Sequence, residues 1–329
     1  MHEASGHTAP DRAAPDRAAS DHDAAERVPA VSVVVCTRNG AARLREHLGS
    51  VAAAVAASAR PAELIVVDNG SHDDTAAAAT DAATAVRVVL APIAGLARAR
   101  NVGIAAARGT AVLFTDDDVD VPLDWVDRMA APLLSGGADV VAGGIRVDDA
   151  LRLPWVSPWV LELFADHPAP SASNAFVVGA NFGALRSVFL ELPFNEDLGA
   201  APYQREEDAF FWIQAREAGL RIVGVQGTPV RHCFDADRLE TPALIALAHT
   251  MGRCEAYVLH HWLHGPAPLL PLKQAVFSVD VALRRMARGA HPSDDELRHV
   301  ARLSFVRELR SLKGRPRRFP SPAERAATR

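Results

Sequence analysis

Between residues 31 and 116 the chain alternates short apolar segments with alanine-rich segments of helical length. The apolar segments are rich in β-branched residues and read VSVVVCT, ELIVVDN, AVRVVLA and AVLFTD. Each has the length of a buried strand, and the segments between them predict helices. A strand that is apolar throughout must be covered on both faces, which is typical of a parallel sheet flanked by helices. This alternation therefore predicts an α/β fold.

The chain beyond residue 116 is less regular. A strand is predicted at DVVAGGIRV, a helix at REEDAFFWIQAREAGL, and two short strands at RIVGV and TPVRH. From about residue 243 onward the pattern becomes helical. The helices predicted there span residues 243–264, 270–288 and 293–312.

These patterns predict four parts of the chain. The first is a leader rich in Ala, Asp, Arg and Pro, which we expect to be disordered because it has almost no large apolar side chain to bury. An α/β domain, a helical region and a frayed basic tail follow it. The boundaries are 1–29 for the leader, 30–240 for the α/β domain, 241–312 for the helical region and 313–329 for the tail.

Charge and cysteine content exclude several classes of protein. The 35 basic and 40 acidic residues give a formal net charge of -5, so the chain as a whole does not attract nucleic acid. The three cysteines, Cys36, Cys233 and Cys254, are too few and too widely spaced for a disulfide framework or a structural zinc site. There is no signal-peptide pattern and no apolar run of about 18 residues. We therefore expect a cytoplasmic protein.

The end of the chain is locally basic despite the acidic total. Residues 298–329 contain ten Lys or Arg residues and two Glu residues. A segment of this composition can contact anionic lipid, although a solubilising tail is the simpler interpretation. Peripheral contact with the inner face of a membrane is therefore a hypothesis for this tail.

Polar residues follow three of the predicted parallel strands. Thr37, Asp68 and the run Asp116–Asp118 come directly at strand ends, and the carboxyl ends of parallel strands meet at one edge of a sheet. Three adjacent carboxylates repel one another by several kcal/mol unless a cation neutralises them. Oxygen ligands suit Mg²⁺ or Mn²⁺, which proteins usually hold together with substrate phosphates. The run predicts a metal and a phosphate-bearing substrate, and a solvated acidic loop is the alternative.

Five sequence blocks together resemble the family 2 glycosyltransferases, which are inverting enzymes with the GT-A fold. The blocks cover about residues 31–235 and read, in order, VSVVVCTRNG, ELIVVDNGSHDDT, GLARARNVGIAAARGTAVLFTDDDVDVPLDWV, VGANFGALRSVF and REEDAFFWIQAREAGLRIVGV. The resemblance implies a Rossmann-like, mostly parallel sheet with helices on both faces, followed here by a C-terminal helical extension. It also implies a nucleoside-diphosphate sugar as donor and Mn²⁺ or Mg²⁺ as cofactor.

The resemblance assigns the nucleotide to the first blocks. Thr37 and the backbone around Arg38 and Asn39 would lie against the base and ribose, and Asp68 would accept a hydrogen bond from the base. Arg100 would help to hold the nucleotide, and the alternative for this residue is an ion pair on a helix surface.

The D-x-D motif of the family matches Asp116 and Asp118. The resemblance implies that these two carboxylates contact the ribose and the metal bound to the diphosphate, with Asp118 as the more direct ligand. Asp117 is counted with the nucleotide-binding residues, because three acids in a row leave the register of the motif open. His232 falls where relatives carry a histidine near the diphosphate, so it would ligate the metal or a phosphate. Asp120 is expected to be a solvated acid.

The acidic block REEDAFF corresponds to the segment that the family places opposite the acceptor. Inversion requires a carboxylate to remove a proton from the incoming hydroxyl, and Asp208 is the first candidate, before Glu207 and Glu206. The alternative is that these acids only complement the positive end of a helix. The small-residue block Gly179–Asn181 would line the donor sugar and acceptor, with Asn181 among the binding residues.

The sequence therefore predicts a metal-dependent, inverting glycosyltransferase acting on an unknown hydroxyl-bearing, or less commonly amine-bearing, acceptor. Two alternatives remain. One is a nucleotidyltransferase on a related fold, and the other is a catalytically silent relative that binds sugar nucleotides. No nucleic acid partner is expected, and the sequence leaves the oligomeric state open.

Overall fold

The computed structural model describes residues 28–170 and 175–327. The predicted leader, apart from residues 28 and 29, lies outside the described residues. In the described part of the chain eight strands form one sheet. The strands are β1 Val31–Thr37, β2 Ala62–Asp68, β3 Val86–Leu90, β4 Ala111–Thr115, β5 Val119–Asp120, β6 Val140–Val147, β7 Asn181–Leu185 and β8 Ile222–His232.

Helices occupy most of the connections between strands and the C-terminal part of the described chain. The helices are α1 Ala41–Ala57, α2 Thr75–Ala82, α3 Leu96–Ala106, α4 Trp125–Leu134, α5 Pro158–Leu163, α6 Arg186–Glu191, α7 Glu207–Glu217, α8 Thr241–Val258, α9 Leu270–Met286, α10 Asp294–Leu312 and α11 Pro322–Ala327. Short 3₁₀ turns lie at Asp149–Leu151 and Ala236–Leu239, and a π-helical turn, Leu259–Leu263, extends α8. The predicted elements agree with these positions within a few residues, except that the two short strands predicted near the end of the domain form the single strand β8.

The strand order is β3-β2-β1-β4-β7-β6-β8-β5. The first four strands in this order are parallel, as the alternating pattern predicted. Strand β7 runs antiparallel to both β4 and β6, and β5 runs antiparallel to β8. The sheet is therefore parallel in its N-terminal half and mixed in its C-terminal half.

Alternate residues of the buried strands pack on opposite faces of the sheet. On one face Val33 and Val35 pack in a cluster with Leu44 of α1 and Trp125 of α4. On the other face Val34 joins a second cluster that includes α3 and the phenylalanines of β4, β7 and α6. Two layers of helix thus cover the sheet, which explains why its strands are apolar throughout.

The C-terminal helices form a separate layer, in which α8 and α10 pack against each other and α9 packs on α10. The expectation of a frayed tail is wrong for the described residues up to 327, because α11 lies there. Phe319 packs on Phe210 and Trp262, with ring centroids 5.6 and 5.2 Å apart, and the guanidinium of Arg325 lies 3.7 Å from the centre of the Trp262 ring. Aromatic contacts of this kind hold a segment whose composition is otherwise polar.

Candidate active site

The polar ends of the parallel strands lie at one edge of the sheet, as predicted. Thr37 and Asp68 are neighbours in the β1–β2 register, and Val35 is opposite Thr115 in the β1–β4 register. The three aspartates after β4, called here the DDD triplet (Asp116–Asp118), therefore follow directly beside the end of β1. The strand register alone brings together residues almost 80 positions apart.

The middle acid of the DDD triplet, Asp117, is hydrogen-bonded by side chains of the protein itself. Arg43 donates to both oxygens of Asp117, at 3.1 Å each, and the hydroxyl of Thr37 donates a further short hydrogen bond. Burial raises the pKa of Asp117, although Arg43 opposes that shift. Asp117 thus has three hydrogen-bond donors around it, and the outer two acids of the triplet are left to face a ligand.

Asp118 forms a pair with His232. The side chains of Asp118 and His232 are 9% and 7% exposed, and Oδ1 of Asp118 lies 3.4 Å from Nε2 of His232. The backbone oxygen of Phe164 can only accept a hydrogen bond, so the Nδ1 atom 2.9 Å away from it carries the proton. Nε2 is then the ring atom that faces the carboxylate, where it can donate a hydrogen bond when protonated or share a cation with Asp118 when it is not.

Arg238 approaches the same carboxylate from the other side. Its Nη1 atom lies 3.3 Å from Oδ2 of Asp118, and its guanidinium stacks 5.2 and 5.0 Å from the ring centres of Phe164 and Phe234. Burial acts to raise the pKa of Asp118, but His232 and Arg238 outweigh it and lower the pKa. Asp118 is therefore ionised in the folded protein at neutral pH.

Asp116 faces the buried guanidinium of Arg100, 3.8 Å away. A third of the Asp116 side chain is open to the cleft. The protein encloses the rest, and this desolvation raises its pKa to about 6 against the opposing charge of Arg100. Arg100 itself is 2% exposed and lies over the rings of Phe114, Phe182 and Phe194. The interpretation of Arg100 as a surface ion pair is wrong, because it is buried inside the fold.

A second run of acids, called here the EED triplet (Glu206–Asp208), lies at the start of α7. Glu207 is 3% exposed, and its Oε1 atom is 2.5 Å from Nη1 of Arg100. Burial raises the pKa of Glu207 to about 6 despite this ion pair. Arg100 holds one oxygen of the Glu207 carboxylate, which makes Glu207 a weaker candidate for the base than Asp208.

The other two acids of the EED triplet line the cleft without an ion-pair partner within 4 Å in the described ranges. The backbone N–H of Gly179 donates to Oδ2 of Asp208 at 2.6 Å. Burial, and then the charge of Asp208, raise the pKa of Glu206 to about 7. A Cβ atom at Gly179 would collide with Arg100 and lie 3.2 Å from Oδ2 of Asp208, so this close approach requires glycine.

Two adjoining cavities form the cleft. The larger, about 370 Å³, is bordered by the EED triplet, His232 and Gly179. The smaller, about 320 Å³, lies over the DDD triplet and Arg43. Leu96, Asp116 and Arg238 border both cavities. One ligand can therefore reach from the rim of the sheet to Asp208.

The side chain of Asn181, a predicted binding residue, does not border either cavity of the cleft. Its side chain is fully buried, with Oδ1 accepting from Trp125 Nε1 at 2.9 Å and Nδ2 donating to the Gly144 carbonyl at 2.7 Å. The assignment of this side chain to ligand binding is therefore wrong. Its role is to join β7 to α4 and β6, because the buried amide needs partners and finds them there.

The remaining predicted rim residues hold the loops after β1 and β2 together. Arg38 and Asn39 are exposed, and the Asn39 side chain accepts from the backbone of His72. Asp68 accepts from the backbone N–H of Ser71. These contacts shape the rim, and a role for these residues in nucleotide binding stays a prediction.

Asp120 is not the solvated acid that the sequence suggested. It accepts from His47 Nδ1 at 3.0 Å and pairs with Arg231, with Cys233 at its edge. Arg231 also binds Asp148 at 2.7 Å. This His47–Asp120–Cys233 group has the residue types of a metal site, but the guanidinium of Arg231 already supplies the positive charge.

Sequence reasoning predicted Arg100 but missed the other two arginines that contact the DDD triplet, Arg43 and Arg238. Arg43 stands in the first turn of α1, where a positive charge opposes the helix dipole, and that unfavourable position is a signal that could have marked it. Arg238 follows β8 in an irregular segment, and the sequence contains no comparable signal for it.

The fold and the site together define a class of protein. The chain has the GT-A fold, which it shares with a mannosyltransferase from Pyrobaculum calidifontis, PcManGT, solved in complex with GDP-Man and Mn²⁺. The superposition has a TM-score of 0.51 at 20% sequence identity and covers 92% of this chain and 79% of that one. Residues 32–192 match the profile of glycosyl transferase family 2.

Two relatives match part of the chain by sequence. Glycosyltransferase AglE of Haloferax volcanii is 30% identical over 123 residues, which are 36% of this chain and 40% of AglE. A glycosyltransferase of Mycobacterium tuberculosis is 36% identical over 128 residues, which are 39% of this chain and 54% of that protein. The chain thus spans about half or less of the length of these relatives. The predictions of the GT-A fold and of the family are confirmed.

Proposed function

We propose that the protein is a metal-dependent, inverting glycosyltransferase, which moves a sugar from a nucleoside-diphosphate donor to a hydroxyl group of an acceptor. The observation that carries this proposal is the cleft, in which Asp118 and His232 form a ligand pair on one side and Asp208 lines the other. The match of residues 32–192 to family 2 and the complex of PcManGT with GDP-Man and Mn²⁺ support it.

The smaller cavity suits the nucleoside diphosphate. Thr37, Arg38, Asn39 and Asp68 surround the adjoining rim, where a base and ribose would lie. Arg238 borders both cavities, so its charge would face the diphosphate at the junction where the bond to the sugar breaks. The sugar and the acceptor would then occupy the larger cavity.

Asp118 and His232 are the proposed protein ligands of a divalent cation, with Asp116 bordering the same cavity as Asp118. Asp118 is ionised, Asp116 faces the same cavity, and His232 is held with its Nδ1 proton on a backbone carbonyl, which leaves Nε2 free to bind. Such a ligand set suits Mn²⁺ or Mg²⁺, with diphosphate oxygens completing the shell. When bound, the cation would stabilise negative charge on the departing diphosphate.

Asp208 is the proposed base. It would accept the proton of the acceptor hydroxyl as that oxygen bonds to the anomeric carbon and the bond to the diphosphate breaks. The backbone N–H groups of Gly179 and Ala209 donate to Oδ2 and Oδ1 of Asp208, at 2.6 and 2.8 Å, and orient the carboxylate at the border of the larger cavity. Glu206 is the second candidate, since its pKa of about 7 suits a base near neutral pH.

Donor turnover tests the proposal. The full chain is incubated with UDP- and GDP-sugars in Mn²⁺, and the release of nucleoside diphosphate is measured with and without a chelator. We expect release that requires the metal and that falls by at least about a hundredfold in Asp118→Ala. Asp124→Asn is the matched control, because this exposed acid pairs with Arg128 on the helix surface.

The products separate the alternatives. Release of pyrophosphate from a nucleoside triphosphate and a sugar phosphate would replace transfer by nucleotidyl transfer. Sugar-nucleotide binding by thermal shift without any turnover would indicate a catalytically silent relative. Inversion is tested by the anomeric configuration of the product in an NMR spectrum, and retention of the donor configuration would contradict the single-displacement step.

A further inference from the structure

Helix α9 exposes a continuous apolar face. Six side chains on it or immediately before it are between 56% and 84% exposed, and their spacing of three and four residues places them on one side of the helix. We call this face the α9 stripe, and it consists of Leu269, Leu272, Val276, Val279, Leu283 and Met286. The opposite side of the helix carries Leu270 and Phe277, which pack against Val306 and Leu309 of α10.

The α9 stripe is too extensive to be an ordinary surface. Single exposed apolar residues are common, but a contiguous apolar patch marks a site of interaction. A helix of 17 residues is about 25 Å long, and the stripe follows its whole length. The exposed loop before it, Pro266–Pro268, extends the apolar surface.

The surroundings of the α9 stripe are basic. Residues 259–318 contain twelve Lys or Arg residues and five Asp or Glu residues. The acids are engaged within the protein, as when Asp280 pairs with Arg284 and Glu296 with Arg288. Lys273 and Arg285 are exposed on the same helix as the stripe. A partner of this face must therefore be apolar at its centre and negatively charged around it.

These charges disfavour a second copy of the chain as the partner. Lys273 and Arg285 each lie six residues from Val279, at the middle of the stripe. An antiparallel pair of α9 helices centred on Val279 would place Lys273 opposite Arg285, and a parallel pair would place each cation opposite itself. Both arrangements bring like charges together beside an apolar contact, which is destabilising.

An anionic lipid surface satisfies both requirements. We propose that the α9 stripe docks on a bilayer that contains anionic lipids, with its apolar side chains in the interfacial region and Lys273 and Arg285 at the level of the phosphates. In the described ranges, 28–170 and 175–327, there is no helix with the length and apolarity to cross a bilayer, so this contact is a surface contact. None of the α9 residues borders the two cavities of the cleft.

The contacts of the C-terminal arginines bear on the hypothesis that the basic tail binds lipid. Arg317 donates to the backbone oxygen of His260, Arg318 pairs with Asp197, and Arg325 pairs with Glu217. These tail arginines are committed to the protein itself. The exposed cations that accompany an apolar surface are those of α9.

Vesicle flotation of the full chain tests the proposal without any assay of activity. Vesicles of phosphatidylcholine alone are compared with vesicles that also contain phosphatidylglycerol. We expect the wild type to float with the anionic vesicles at least about tenfold more than with the neutral ones, and less at high salt. Val279→Glu with Leu283→Glu should abolish flotation.

The control carries the same two changes elsewhere. Leu90→Glu with Leu190→Glu replaces two leucines that are 66% and 56% exposed outside α9. This control should float like the wild type, and Lys273→Gln with Arg285→Gln should bind anionic vesicles up to roughly 25-fold more weakly. Thermal melts establish that every variant is folded.

Two results would overturn the proposal. The first is equal flotation of the α9 stripe variant and the wild type. The second is a wild type that floats with neither kind of vesicle and is a dimer in sedimentation analysis, while the α9 stripe variant is a monomer. That result would make a second copy of the chain the partner of the stripe.

Discussion

The DDD and EED triplets have nearly the same composition, but they differ in the number of basic side chains that contact them. Every acid of the DDD triplet has a basic side chain within 4 Å, namely Arg100, Arg43, or the pair His232 and Arg238. In the EED triplet, within the described residues, only Glu207 has one, and it is again Arg100. The two runs thus meet at the same guanidinium, with Asp116 at Nη2 and Glu207 at Nη1.

This difference matches the two kinds of chemistry. A carboxylate binds a cation in its ionised form, and the basic partners of Asp118 lower its pKa, whereas burial raises the pKa of Asp116 to about 6 despite Arg100. A carboxylate that accepts a proton must not be held by a permanent positive charge, and Glu206 and Asp208 have no such partner among the described residues. The presence or absence of a basic partner therefore distinguishes the acids proposed to bind the cation from the acids proposed to accept a proton.

The largest effect should come from removing the proposed base. Asp208→Asn should lower kcat by about 10²–10⁴-fold, because general base catalysis contributes roughly that factor. The KM for the donor should change little, since the DDD triplet is intact. Steady-state kinetics with saturating acceptor measure both values.

A matched substitution separates the two candidates of the EED triplet. Glu206→Gln removes the neighbouring acid and should keep most of the activity. If Asp208→Asn were active and Glu206→Gln inactive, the base would be Glu206 and not Asp208.

The next effect concerns the arginine that the triplets share. Arg100→Met should cost about 3–5 kcal/mol of unfolding free energy, because it leaves the buried Glu207 carboxylate without its counter-charge. Urea denaturation at neutral pH measures the loss. Arg98→Met is the control on the same helix, since its pair with Glu196 is partly exposed and should contribute at most about 1 kcal/mol. Equal losses in both variants would show that Arg100 does not couple the triplets.

The smallest expected effect is on the pH dependence of stability, where substitutions in the two triplets should act with opposite sign. Burial raises the pKa of Glu206 from 4.5 to about 7, so its ionised form is disfavoured in the folded protein. That cost is absent below about pH 4.5, grows as the pH rises towards 7, and is complete above it. Glu206→Gln should therefore stabilise the protein at pH 8 by about 1–2 kcal/mol and have little effect at pH 4.

Asp118→Asn should act in the opposite direction in the metal-free protein. The lowered pKa of Asp118 contributes stability at neutral pH, and this stability is lost as the pH falls through the acid range. Melting temperatures across pH compare the two variants, with Glu191→Gln as an exposed control. The same sign for both substitutions would contradict the contrast between the triplets.

The regular half of the fold could be predicted because its signals are local. The β-branched runs of β1 to β4 and the alanine-rich segments between them specify buried parallel strands and helices, and parallel strands place Thr37, Asp68 and the DDD triplet at one edge. Asn181 shows the limit of this reasoning. Its block resembled a binding segment, but a polar residue in a strand is buried or exposed according to what packs over it.

The sequence by itself determined the α/β alternation, the position of both acid triplets and the residues at the strand ends, because backbone periodicity depends on neighbours along the chain. Only the tertiary structure decided which acids are neutralised. Arg100 meets Glu207 across 107 positions, and Arg238 meets Asp118 across 120. Ionisation depends on distance to a counter-charge and on exclusion of water, and neither quantity is encoded in any local pattern.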